Sequence, residues 1–163
     1  MRESDTITTL FRHHLWANVS LFEVCAVLSD EQLEAKIAGT YGSIRDMMQH
    51  IAYAERNYLH RIQTGQRFPR DENAPKPNVV ELCEAIRKSG EEFIEAAPKV
   101  KPQDAVTIQW RDGKTRSVPC SILVTQAINH ATEHRAQIMT TLTHLGVEPP
   151  DIDGWAYFDS LNK

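Results

Sequence analysis

Apolar residues recur at steps of three and four along four long stretches of this chain, the spacing of helices that bury one face. The first, about Asp5 to Leu28, carries Ile7, Leu10, Phe11, Leu15, Phe22, Cys25 and Leu28 with no proline or glycine. The second opens at Ser43, which with Asp46 resembles a capping box, and carries Ile44, Met48, Ile51, Tyr58 or Leu59, and Ile62 before stopping near Thr64-Gly65. Asn78 as N-cap and Glu81 at the third helical position open the third, which carries Val79, Leu82, Ile86 and Phe93 to about Ala97, where Pro98 ends it. Gly90 is the weak point in its middle. The fourth follows Pro119, runs through Leu123, Ala127, Ile138 and Thr141 to about Leu145, and is closed by Gly146 and Pro149-Pro150.

Shorter signals lie between them. Ser29 to Gln32 ends the first helix or starts a short turn, and Gly39-Thr40-Tyr41-Gly42 reads as a plain loop. Three prolines between Gln66 and Asn78 prevent regular helix, and a connection of that length is a crossover or a lid. Ala105 to Trp110 and Thr115 to Val118 flank Asp112-Gly113, which predicts a tight hairpin that must pack on the helices because a lone hairpin is marginal. The tail from Asp151 to Lys163, with Ile152, Trp155, Tyr157 and Phe158, is expected to dock at least in part. The pattern predicts an all-α, single-domain four-helix bundle over residues 1–163, with a long crossover between helices two and three and a small β-hairpin between helices three and four.

Composition narrows the partners. With 41% hydrophobic and 25% charged residues, the chain can bury an ordinary core. A net charge of −4 and no basic run argue against nucleic acid or an anionic membrane surface. No stretch reaches the roughly 18 apolar residues of a membrane span, and the N-terminal segment lacks the pattern of a secretory signal. A cytoplasmic location is the expectation. Cys25, Cys83 and Cys120 are far apart and odd in number, which suits reduced, packed thiols; Cys120, near a helix start, is the candidate for reactivity.

Polar residues on the apolar stripes carry the candidate chemistry. His130 and His134 stand one turn apart, about 40° around the fourth helix, so both imidazoles can reach one point. A shared cation satisfies two buried rings that are otherwise costly. Catalytic sites of this kind commonly take a third protein ligand and leave a position open. His60 and His144, each ten residues after His50 and His134, are turned about 80° from them and lie near helix ends, and His13 lies beside the first stripe. Geometry favours His14, on the first stripe with Asn18, and His50, which flanks the second, without choosing between them.

Trp16-Ala17-Asn18, Ser43-Ile44-Arg45-Asp46-Met47-Met48-Gln49-His50-Ile51, Asn129-His130 through His134-Arg135-Ala136-Gln137-Ile138, and Pro150-Asp151-Ile152-Asp153-Gly154-Trp155 together resemble the DinB/YfiT-like proteins. The resemblance covers nearly the whole chain in order. It implies a four-helix bundle in which three histidines, here His50, His130 and His134, hold a divalent metal, zinc or nickel, with solvent completing the site. It also implies kinship with bacillithiol- and mycothiol-dependent S-transferases and a mycothiol-dependent isomerase, in which the metal activates a low-molecular-weight thiol. The expected function is therefore metal-dependent transfer of such a thiol to small electrophiles. Metal-assisted hydrolysis, and a non-catalytic stress-response protein with a structural or sensory metal, are the alternatives. His14, Asn18 and Arg135 are candidate substrate contacts; against this stand a satisfied core histidine for His14, which is the favoured reading, and a solvated or ion-paired residue for Arg135. Gln137 is a candidate support for the ligands. His130-Ala-Thr-Glu133-His134 also fits the H-x-x-E-H pattern, with Glu133 as general base, but those enzymes take another acidic ligand well downstream. The partners expected are a small-molecule substrate and a second copy of the chain in a homodimer.

Overall fold

The computed structural model describes residues 5–71, 73–110 and 112–162. Its elements run α1 (Thr6–Ala26), α2 (Asp30–Leu33), α3 (Ile44–Thr64), α4 (Val79–Ala96), a 3₁₀ turn (Ala97–Lys99), β1 (Ala105–Gln109), β2 (Thr115–Pro119), α5 (Cys120–His144) and α6 (Gly154–Ser160). It is mostly helical with one small antiparallel sheet.

Local chemistry sets the boundaries. Asp5 accepts from the Thr8 N–H and starts α1. Ser29 and Gln32 form a capping box, so the expected turn is the one-turn helix α2. Reciprocal boxes Ser43 with Asp46 and Asn78 with Glu81 open α3 and α4. Gly65, at φ 75°, ends α3 in the left-handed conformation that a residue with a Cβ resists. In the hairpin, Ala105 pairs with Pro119 and Gln109 with Thr115 around the Asp112-Gly113 turn. Val106 packs with Cys120 and Leu123, fixing the sheet to the start of α5.

Each long helix has two long neighbours: α1 and α3 both pack on α4 and α5. Phe22, Ile44, Met48, Ile51, Ile86, Ile138 and Leu142 form one apolar cluster, while Phe11, Leu59, Phe93, Val124 and Ala127 form another. Along α1, α3 and α4 the residues between these clusters are polar and buried: His14 and Asn18, Glu55, and Ser89. Gly90 lets α4 approach α1, because a Cβ there would stand 2.6 Å from the Leu15 Cδ1. The tail docks by half. His13 Nε2 meets the Ile152 carbonyl at 2.9 Å and the Tyr157 ring packs on His13 and Trp16, whereas Trp155 remains 80% exposed. Among the described residues no helix is long and apolar enough to cross a membrane.

Candidate metal centre

Helix α3 presents His50, and α5 presents His130 and His134, at the face where these two helices pack. One nitrogen from each lies within 4.8 Å of the others. The Nε2 atoms of His50 and His130 are 2.9 Å apart, and the ring centroids of the three residues are separated by 4.6–4.7 Å. His134 is buried, while His50 and His130 are partly so.

Burial, then the neighbouring His134, lowers the pKa of His50. Burial, then His50 and His134, pushes that of His130 down to about 4. Both rings therefore keep free lone pairs near neutral pH, the form a metal requires. The His134 Nδ1–H donates to the Gln137 Oε1 at 3.2 Å, which leaves Nε2 as the lone pair of that ring. The same Gln137 oxygen accepts from the Tyr41 N–H at 3.0 Å, and the Tyr41 ring stacks on His50 with centroids 4.2 Å apart. Tetrahedral zinc–nitrogen bonds set their nitrogens about 3.3 Å apart, so the 2.9 Å between His50 and His130 would need to open only slightly. This all-nitrogen set fits a first-row divalent metal ion.

His14, Asn18 and Arg135 come together elsewhere, in the polar layer of the interior. Glu55 Oε2 accepts from His14 Nε2 at 2.7 Å and from Asn18 Nδ2 at 3.2 Å, and Oε1 accepts from the Ser89 hydroxyl at 2.6 Å. Arg135 donates to Asn18 Oδ1 at 2.7 Å and to the Thr132 hydroxyl at 2.8 Å. Its Nη1 stands 3.5 Å from His14 Nδ1. These partners suit the Nε2–H tautomer of His14, which bridges guanidinium and carboxylate. Burial lowers the Arg135 pKa to about 10, against the opposing pull of Glu55. His14 and Asn18 are fully buried and Arg135 is 4% exposed, so their side chains are occupied by one another.

Glu133 lies exposed on α5. The Cys120 thiol is pushed up by burial and by Asp104, the opposite of an activated nucleophile. A cavity of about 780 Å³ opens beside His50, between α3, α4 and the connection that follows α3. Tyr41, Tyr53, Arg56 and Phe68 line it.

Sequence reasoning missed three participants. Glu55 was hidden by the habit of assigning carboxylates to the surface, although its place between Ile51 and Leu59 on the stripe signalled burial. Tyr41 lies in the loop before α3, where an aromatic residue just ahead of a capped helix is the available cue. Phe68, pinned by Asn57, left no local signal.

The fold is shared with a DinB-like protein from Bacillus subtilis, with a TM-score of 0.66 and 16% identity over 91% of this chain and 99% of that one. A DinB-like protein from Bacillus cereus gives a TM-score of 0.62 and 20% identity over 85% and 90% of the two chains. No match was found among curated proteins. The model of the DinB family matches residues 1–161, so the sequence that builds both the helices and the histidine cluster is covered almost end to end, and the chain belongs to the DinB family.

Proposed function

We propose that this protein is a four-helix bundle whose His50, His130 and His134 hold zinc or nickel, and that it transfers a low-molecular-weight thiol to small electrophiles. The observation that carries the reading is the convergence of three imidazoles within 4.8 Å beside an open cavity. The cyclic packing of the four long helices supports the bundle. When bound, the ion supplies the positive charge that lowers the pKa of a thiol, or of water, arriving at its open position. Gln137 fixes the tautomer of His134, and Tyr41 covers the face of His50, so the ligands are oriented before the ion arrives.

Metal analysis of wild type beside His50→Ala, His130→Ala and His134→Ala tests the site. About one ion per chain is expected in wild type and a large loss in each variant. The transfer reaction is tested by incubating metal-loaded protein with bacillithiol, mycothiol or glutathione and a chromogenic electrophile. Thiol consumption no faster than with metal-free protein counts against transfer. We extend the reading to a homodimer formed through the exposed Trp155 and Phe158 of the tail. Light scattering should give twice the chain mass, falling to one with both replaced by serine.

A further inference from the structure

Beside His50 lies an arrangement that the histidines do not explain. Residue Phe68 of the connection after α3 is tied back to that helix: its N–H donates to Asn57 Oδ1 at 3.1 Å, and its carbonyl accepts from the Tyr53 hydroxyl at 3.5 Å. The Arg56 guanidinium sits over the Phe68 ring at 4.2 Å, the Phe68 and Tyr53 rings meet edge to face at 6.3 Å, and the Arg70 guanidinium lies over Tyr53 at 5.0 Å. Two adjacent aromatic rings, each covered by a cation, thus line the cavity wall.

A guanidinium stacked on a ring is held by its face, which leaves its in-plane N–H groups free to grip a planar anion. Among the described residues no carboxylate forms an ion pair with Arg56 or Arg70. The acids that line the same cavity are engaged otherwise. Asp46 closes the α3 capping box and lies 3.6 Å from Lys76, Glu81 accepts from the Asn78 N–H, and Asp71 accepts from the Asn73 N–H. None of these acids stands within ion-pair distance of Arg56 or Arg70, so both guanidiniums are available to an arriving anion.

We propose that the cavity beside His50 binds the carboxylate of a small organic acid through Arg56 and Arg70, with Tyr53 and Phe68 covering its apolar body. The assignment of this acid as the substrate or thiol co-substrate rests on the metal reading above; the anion site itself stands on the arginines and the rings.

The probe is benzoate, with uncharged benzamide as control, titrated into ¹⁵N-labelled metal-free protein and followed by amide shifts. Benzoate should shift residues 53–56 and 68–70 saturably and bind at least about tenfold more tightly than benzamide. The Arg56→Gln/Arg70→Gln double variant changes two exposed side chains, so its melting temperature should match wild type while benzoate affinity falls about tenfold or more. Equal binding of benzoate and benzamide, or a double variant that binds benzoate as wild type does, overturns the proposal. Benzoate binding that appears only after zinc loading and ignores the arginines also overturns it, and leaves the metal reading intact. Arginine-dependent binding in a protein that takes up no zinc keeps the anion site and removes the metal reading instead.

Discussion

His130 and Glu55 are the two residues whose surroundings most constrain their chemistry. In the folded, metal-free protein His130 resists protonation until about pH 4, whereas in the unfolded chain it takes a proton near its ordinary 6.5. Between those values the unfolded state binds more protons, so stability is fully present above about pH 6.5 and is lost as pH falls towards 4. The melting temperature of metal-free protein should therefore drop across that window, and His130→Gln should flatten the slope. Glu55 acts through Arg135, His14, Asn18 and Ser89, which depend on it for charge balance or an acceptor. Glu55→Ala leaves a buried guanidinium without its counter-charge and should cost about 3–5 kcal/mol in urea denaturation. Glu55→Gln, which keeps an acceptor, should cost less.

Among the elements, those set by neighbours in sequence were legible. Ser43 with Asp46, Asn78 with Glu81, Gly65 and Asp112-Gly113 placed the starts and stops of α3 and α4 and the hairpin turn to within a residue or two, because capping and turn formation act over three or four residues. The pair His130 and His134 was legible for the same reason. His50 was not selected by spacing over His14, since the choice depends on which face of α3 meets α5; the family resemblance supplied it. The Phe68 contacts arise from a proline-rich connection with no period to read. Gly90 looked like a weakness in α4 and is a close-packing position. Alanine normally gains about 1 kcal/mol over glycine inside a helix. Here its Cβ would meet Leu15 Cδ1 at 2.6 Å, which turning the leucine tip relieves, and Leu15 Cβ at 3.1 Å, which only a shift of α1 against α4 relieves. Gly90→Ala should destabilise by about 1–3 kcal/mol, and the additional change Leu15→Ala should recover part of that in a double-mutant cycle.

For the whole molecule, the three histidines join helices α3 and α5, which the chain order keeps apart. An ion bound only by the folded state raises stability by about 2.7 kcal/mol when present at 100 times its dissociation constant. Zinc or nickel should therefore raise the melting temperature, a chelator should reverse the gain, and His134→Ala should abolish it. His50 and His130 are 80 residues apart in sequence. An ion held between them is also a cross-link that closes a loop containing α4 and the hairpin. A backbone cut within the connection between α3 and α4 would then yield two fragments held together by coordination as well as by packing, so the ion would serve the fold as a removable clasp.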